Sequence, residues 1–204
     1  MSSCKPVLCL LVPLALAACG ADNVWAPDEE VSRARYVTGD APSITLYTVV
    51  NKRSGEGGHA ALMIDDSQRV LFDPAGTWYH PRAPERHDVH YGMTEQMRKF
   101  YIDYHARQTY DVLEQKVYVS PAVAAQAVRE VEAYGAVNKA LCANSVSSVL
   151  RRLPGFESIP HSLFPMKISR AFGELPGVTT RLYKDGDPEI ASGVRMIVGA
   201  NAEP

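Results

Sequence analysis

The sequence predicts an α+β domain whose sheet is mostly antiparallel. Three observations favour this class: β-branched and aromatic runs separated by short turns come first, a helix and a further strand follow, and two helical segments come next. The chain has 204 residues, which is enough for one domain with a full core. Its formal net charge is −2 and it has no long basic run, so no nucleic-acid partner is expected.

The first half of the domain contains three predicted strands. Residues 43–50, "SITLYTVV", are β-branched and aromatic, and a glycine-rich turn separates them from a second apolar run, "HAALMI", at 59–64. A third strand begins at residue 69 and breaks at Asp73-Pro74. Residues 77–92 hold prolines and histidines without periodicity, so we expect a long surface loop there.

Helical spacing and capping residues predict the later elements. Residues 94–107 place aromatic side chains on one face of a helix, and residues 110–120 have the composition of a strand. The pair Ser120-Pro121 is typical of a helix start, and Gly135 of a helix end. A second helix is predicted over 142–153. Its apolar stripe consists of Val146, Val149, Leu150 and Leu153. A short helix over 165–175 and a strand over 178–186 complete the pattern.

The first 18 residues have the features of an export signal. One lysine precedes an apolar run that is too short to span a bilayer, and small residues follow that run. The end of the segment, "LAAC" at 16–19, resembles the lipobox of bacterial lipoproteins. The resemblance implies cleavage before Cys19 and acylation of that cysteine. Because Gly20 follows, it also implies a lipid-anchored, periplasm-facing position at the outer membrane. A plain secretory signal cut after Ala18 is the alternative.

The predicted organisation leaves one cysteine without a partner. Residues 19–41 are polar and aperiodic and are interpreted as a tether, the domain covers 42–186, and residues 187–204 form a tail of unassigned structure. Two cysteines leave with the signal and Cys19 carries lipid. Cys142 is then unpaired in a compartment that oxidises thiols, which favours a thiol that is buried or used.

Cys142 has a sequence context that favours reactivity. It lies at the predicted start of a helix, where unpaired amides and the helix dipole stabilise a thiolate. Ala143 and Ser145 are small enough to leave the sulfur reachable, and Asn144 adds a polar group to the same turn. A thiol nucleophile also needs a base. His59 is the candidate, because it follows "GEGG" and opens an apolar strand.

These motifs resemble the circularly permuted branch of the NlpC-type papain-like superfamily, which includes lecithin:retinol acyltransferase-like enzymes. "GGHAALMI", the following "VLFDPAG" and a distant cysteine at the head of a helix carry the resemblance over residues 43–155. It implies a permuted papain-like fold, with the antiparallel sheet packed against the helix that carries the cysteine. It also implies Cys142 as nucleophile, His59 as general base, Asp73 as the group that orients the imidazole, and no cofactor.

Each of these residues also has an interpretation without chemistry. A lone buried cysteine is usually a small core hydrophobe, His59 can be a hydrogen-bonded strand-end residue, and the aspartate of "DPAG" also caps a turn. A loop histidine could orient His59 in place of Asp73. The loop also raises a zinc alternative, formed by His80, His87, Asp88 and His90. Their spacing fits no common ligand pattern, so no metal is predicted.

The sequence therefore predicts a cysteine hydrolase that cleaves an amide bond in a cell-wall peptide through a Cys142 acyl-enzyme, with His59 as base. Tyr47 and Asn144 are candidate cleft residues. The runner-up is an acyltransferase or thioesterase that acts on a lipid or an acylated amine, and a third hypothesis is a non-catalytic envelope lipoprotein. The expected partners are a peptidoglycan peptide or an acyl-lipid substrate, together with the membrane reached through the lipid on Cys19.

Overall fold

The computed structural model describes residues 20–184 as an α+β fold with a seven-stranded antiparallel sheet and five helices. The predicted signal, Cys19 and the tail from residue 187 lie outside the described residues. The strands are β1 Ser43–Asn51, β2 Gly57–Asp65, β3 Arg69–Phe72, β4 Glu85–Arg86, β5 Val89–Tyr91, β6 Tyr110–Tyr118 and β7 Thr179–Tyr183. The helices are α1 Asp28–Ala34, α2 Glu95–His105, α3 Pro121–Glu132, α4 Cys142–Leu150 and α5 Pro165–Gly173.

The sheet has the strand order β4-β5-β3-β2-β1-β6-β7. Neighbours in the chain mostly pair through short turns, while β1 pairs β6 after a long connection that contains α2. Helices cover both faces. Side chains such as Ile44 and Leu46 face α3, α4 and α5, whereas Tyr47 and Val49 face α2. Because β1 and β2 are buried on both sides, neither alternates between buried and exposed residues. β2 has a continuous apolar run over 60–64, and β1 has buried threonines among its apolar residues.

α4 begins at Cys142, as the sequence predicts, and packs directly against β2. Its apolar stripe of Val146, Val149 and Leu150 is fully buried in the core that lies between the sheet and the helices. α3 also has its predicted start, because the Ser120 hydroxyl accepts a hydrogen bond from the Val123 amide. The helix that carries the cysteine is thus held against the strand that carries His59.

The prediction of a surface loop over residues 77–92 is wrong for its second half. Two short strands, β4 and β5, add to the sheet edge there, and the whole of β5 is buried. They are joined by the two-residue turn His87-Asp88, whose φ angles of 46° and 65° are left-handed. Such hairpin turns usually use Asn-Gly or Asp-Gly, so His-Asp gave no turn signal in the sequence.

The segment predicted as a tether contains structure of its own. Helix α1 forms within it, directly after Pro27, with three acidic residues in its first turn. Upstream of α1, the Ala26 amide donates to the Glu85 carbonyl over 2.9 Å, and Trp25 bridges to Arg86 of β4. Residues 20–41 therefore lie partly against the sheet edge. Within residues 20–184, no helix is both long and apolar enough to cross a bilayer.

Candidate active site

Three elements bring the predicted catalytic residues together. His59 is the third residue of β2, and Asp73 directly follows β3, the strand that pairs with β2. The β2–β3 register pairs Leu62 with Phe72, which places Asp73 near the start of β2. Cys142 is the first residue of α4, which packs on β2. Residues distant in the sequence thus meet at one end of the sheet.

The imidazole of His59 lies between the carboxylate and the thiol. Its Nε2 donates to Asp73 Oδ1 over 2.6 Å. The side chain also interacts with the Cys142 thiol, which contributes to the raised pKa of His59. Because Nε2 faces Asp73, we infer that Nδ1 is the nitrogen available to the thiol. A thiol, an imidazole and a carboxylate in this order are an arrangement that can activate a thiol as a nucleophile.

The electrostatics of the pair favour a thiolate and an imidazolium. Burial lowers the pKa of His59, but the charge and hydrogen bond of Asp73, with a further contribution from Cys142, raise it from 6.5 to about 10. Burial raises the pKa of the Cys142 thiol, whereas the hydrogen bond and charge of His59 lower it, and the net pKa lies below its ordinary value of 9.0. Backbone amides of Ala60 and Ala143 add to this lowering.

Asp73 is a buried carboxylate held by several groups. Burial raises its pKa, but the charge and hydrogen bond of His59 outweigh burial and hold the pKa well below its usual value. The Tyr101 hydroxyl donates to Oδ1 over 2.8 Å, so that oxygen accepts two hydrogen bonds. The Asp73 carbonyl also accepts a hydrogen bond from the Gly76 amide over 3.0 Å, so the residue that bonds His59 also closes a turn. Among the described residues, Oδ2 has no hydrogen-bond partner.

His105 is a site residue that sequence reasoning missed. Its ring lies parallel to that of His59, with the centroids 5.6 Å apart and the planes within 6°. Its Nδ1 donates to the Tyr101 carbonyl over 2.9 Å, because a carbonyl oxygen can only accept. Burial lowers the pKa of His105 to about 4. The available signal was the four-residue spacing of Tyr101 and His105 on one helix face, which the aromatic pattern of α2 concealed.

A cleft of about 300 Å³ opens beside His59. Its walls are mostly backbone and polar side chains, including Thr77, Tyr104, His105 and Tyr110, together with the apolar Val49 and Ala75. His59 lines this cleft and Cys142, on the other side of the imidazole contact, does not. Cys142 is 8% exposed and the His59 side chain is 15% exposed, so the imidazole is the more accessible of the two. A larger cavity of about 620 Å³ lies between α1 and the start of α2. None of Cys142, His59 and Asp73 lines it.

The structure does not bring Tyr47 to this cleft. Tyr47 is 1% exposed in the core on the α2 side, with its ring 5.5 Å from that of Tyr101, and it lines a separate cavity of about 160 Å³. Tyr47 contacts Tyr101, and the Tyr101 hydroxyl donates to Asp73, so Tyr47 is linked to the site indirectly. Asn144 is partly exposed in the first turn of α4, where its carbonyl accepts from the hydroxyls of Ser147 and Ser148.

The loop histidines do not assemble a metal site. Across residues 20–184, the group of side chains close enough to share an ion consists of His59, Asp73 and His105, and it contains none of the loop residues of the zinc alternative. His80 instead accepts from the Arg82 amide, and His90 packs edge-on against Trp78. The Asp88 carboxylate accepts from the Val137 amide over 2.8 Å.

The assembled groups contain the parts needed for nucleophilic catalysis. A thiol of lowered pKa heads a helix whose first amides have no intrahelical acceptor, and these amides can stabilise negative charge next to the sulfur. The adjoining imidazole can carry a proton away from the sulfur, and the carboxylate can hold the ring. No protein-family model, curated protein or solved structure matches the chain.

Proposed function

We propose that this protein is a cysteine hydrolase that cleaves an amide bond, with Cys142 as nucleophile and His59 as general base and acid. The observation that carries the proposal is the chain of contacts from the Cys142 thiol through His59 to Asp73, with 2.6 Å between His59 Nε2 and Asp73 Oδ1. A buried cysteine that served only as a core hydrophobe would not need a charged partner.

In the first half of the reaction, the Cys142 thiolate attacks the carbonyl carbon and a C–S bond forms. The negative charge that develops on the carbonyl oxygen is stabilised by amides at the start of α4. The His59 imidazolium gives its Nδ1 proton to the leaving nitrogen, and the C–N bond breaks. The products of this step are a free amine and an acyl group on Cys142, with His59 neutral.

In the second half, neutral His59 takes a proton from a water molecule whose oxygen attacks the thioester carbon. The C–S bond breaks, the carboxylic acid leaves, and the thiolate–imidazolium pair is restored. Asp73 does not take up this proton. It holds the ring through Nε2 and stabilises the imidazolium in both halves of the cycle, and Tyr101 holds Asp73 in turn.

The surroundings of the cleft support a peptide substrate. Thr77, Tyr104 and Tyr110 line the opening, and polar groups of this kind suit the hydrogen-bonding backbone of a peptide better than an acyl chain. With a permuted papain-like fold and a lipid on Cys19 at the outer membrane, the site would face the periplasm. We therefore propose a peptide of the cell wall as the substrate.

An acyltransferase or thioesterase is the second candidate, and one observation favours it. Leu163 and Phe164 are 57% and 67% exposed, and they precede Pro165, which packs against Gly57 at the start of β2. These two exposed apolar side chains offer a surface for an acyl chain, and Gly57 is two residues before His59 in the chain. Incubation with purified cell-wall peptides and with a short-chain acyl thioester distinguishes the two, because only the true substrate class turns over in a Cys142-dependent way.

The pair itself is tested by alkylation of Cys142 with iodoacetamide across pH, followed by peptide mass analysis. At pH 6 a thiol with the ordinary pKa of 9.0 is about 0.1% thiolate, so a reactive Cys142 is expected to alkylate at least about 10-fold faster than a free cysteine. His59→Ala should remove this advantage. His161→Ala is the matched control, because His161 is an exposed histidine outside the site.

Equal alkylation of wild type and His59→Ala at pH 6 would contradict the pair. A circular dichroism spectrum and an unfolding curve for each variant separate loss of the pair from loss of the fold. If Cys142 resists alkylation up to pH 9 in a folded protein, the thiol is sealed in the core and the non-catalytic lipoprotein is the better description.

A further inference from the structure

We propose that His59, Asp73 and His105 form a binding site for one divalent transition-metal ion, best suited to zinc. The site lies on the cleft side of His59 and uses Nε2 of each ring with a carboxylate oxygen of Asp73. The binding is a property of these three side chains, whereas its effect on Cys142 rests on the proposed function.

The donor set fits zinc in type and number. Two imidazole nitrogens and one carboxylate oxygen are a zinc-binding combination that leaves a fourth position open. The three ligand atoms lie within 4.8 Å of one another. Zinc bonds of about 2.0–2.1 Å would set the ligand atoms roughly 3.3 Å apart, which requires a small movement of the side chains. Asp73 is buried and its Oδ2 has no hydrogen-bond partner among the described residues, so a ligand atom is available.

Tyr101 provides the outer support that metal sites usually have. Its carbonyl accepts from His105 Nδ1, which fixes the lone pair of that ring on Nε2. Its hydroxyl donates to Asp73 Oδ1 over 2.8 Å. Metal-binding histidines typically donate their other nitrogen to a carbonyl, and metal-binding carboxylates are typically hydrogen-bonded. Tyr101 therefore orients two of the three ligands. Its contact with His105 is not needed for the proposed catalysis by Cys142 and His59.

Metal binding would compete with the proton that His59 shares with Asp73. Nε2 of His59 releases that proton to solvent, and its lone pair binds the ion. The hydrogen bond of 2.6 Å between Nε2 and Asp73 Oδ1 is then replaced by bonds to the ion, and the position of the ring beside Cys142 changes with it. Zinc is therefore expected to inhibit the thiol without bonding to the sulfur.

Binding is measured by equilibrium dialysis of the full chain, produced without a polyhistidine tag, against Zn²⁺, with Mg²⁺ and anaerobic Fe²⁺ as comparison ions. We expect wild type to bind one more Zn²⁺ per chain than His105→Gln does. The variant should bind zinc about 10- to 100-fold more weakly. Tyr101→Phe, which keeps the carbonyl and loses the hydroxyl, should weaken binding by about 10-fold. His161→Gln should bind as wild type does.

Alkylation of Cys142 with and without zinc gives a second readout. The zinc effect is expressed as the ratio of the two rates within each variant, so any change that His105→Gln makes to the basal rate cancels. We expect slower alkylation with zinc in wild type and no zinc effect in His105→Gln. Equal zinc binding by wild type and His105→Gln would overturn the proposal. If zinc binds but Cys142 has no enhanced reactivity in any variant, the metal site stands and the proposed hydrolase fails.

Discussion

Asp73 determines both the orientation and the charge of His59. The carboxylate is fully buried, and it accepts one hydrogen bond from His59 and one from Tyr101 on the same oxygen. Burial alone would leave the imidazole neutral, and the carboxylate reverses this and raises the pKa of His59 to about 10. The proposed reactivity of Cys142 would therefore depend on a residue other than its direct partner His59.

The charge of His59 predicts a pH dependence of stability in Cys142→Ser, where the opposing titration of the thiol is absent. Without the thiol, the charge and hydrogen bond of Asp73 still raise the pKa of His59 above 6.5. The folded state keeps a proton that the unfolded chain loses above pH 6.5, so this stabilisation is complete below pH 6.5 and is lost as the pH rises through the raised pKa of the folded state. Urea unfolding at pH 7.5 and 9.5 should show a fall of up to about 1.4 kcal/mol per pH unit.

The matched variant for this measurement is Cys142→Ser with Asp73→Asn. Without the carboxylate the pKa of His59 is no longer raised, and burial lowers it instead. The free energy of unfolding should then change little between pH 7.5 and 9.5. The same fall with pH in both proteins would mean that another group titrates and that the His59–Asp73 pair does not control it.

Residue 76 lies so close to the Asp73 carboxylate that a side chain larger than that of glycine does not fit. A Cβ at this position would lie 1.8 Å from Asp73 Oδ2, and the φ angle of Gly76 is not in the left-handed region. Gly76→Ala should therefore displace the carboxylate and lower the alkylation rate of Cys142 at pH 6 by at least about 10-fold, because a displaced Asp73 no longer holds the imidazolium. In the background of Asp73→Ala the same substitution should have little further effect on that rate, as a double-mutant cycle would measure.

At the level of elements, the long periodic segments were predictable and the short paired ones were not. β1, β2, α3 and α4 have continuous apolar runs or clear caps, and the structure confirms each within a few residues. β4 and β5 have two and three residues, and their turn uses His87-Asp88 in a left-handed conformation that side chains other than Asn, Asp and Gly rarely adopt. These strands form because β5 pairs with β3 and β4 pairs with β5. Such pairing between distant segments leaves no pattern in the local sequence.

The same distinction applies to the candidate site. Cys142, His59 and Asp73 were predictable because each lies at the end of a well-marked element, and sheet pairing brings those ends together. His105 was missed because it lies on the aromatic face of α2, where packing explained every residue. Tyr47 was assigned to the cleft from its strand, but its side chain points to the α2 side and is covered by Tyr101.

The β4–β5 hairpin depends on Asp88, and this gives a prediction for the element. The buried Asp88 carboxylate accepts from the Val137 amide over 2.8 Å, which ties the hairpin to the segment before α4. Asp88→Ala leaves that amide unpaired and keeps a left-handed φ, so we expect a loss of about 2–4 kcal/mol in the free energy of unfolding by urea. Asp88→Asn retains an acceptor and tolerates this φ. Equal losses in the two variants would rule out the hydrogen bond as the cause.

At the level of the whole molecule, the segment before the domain is attached to it at one edge of the sheet. Arg86 of β4 is the main attachment point. Its Nε donates to the Ala26 carbonyl over 2.7 Å, its other nitrogen pairs with Asp28, and its guanidinium lies 4.7 Å from the Trp25 ring centre. If Cys19 carries lipid, as the lipobox resemblance implies, this attachment would limit how far the domain moves from the membrane.

Arg86→Ala is therefore expected to release residues 20–35 while the domain remains folded. The lost hydrogen bond and cation–π contact contribute about 1–2 kcal/mol together, so the released fraction should rise by about 5- to 30-fold. Limited trypsin digestion, followed at Arg33 and Arg35, should speed up by the same factor. Arg53→Ala, on an exposed turn, is the control. Cleavage at an unchanged rate in Arg86→Ala would show that the remaining contacts hold the segment without Arg86. These include the bond from the Ala26 amide to the Glu85 carbonyl and the bond from the Arg69 amide to the Tyr36 carbonyl.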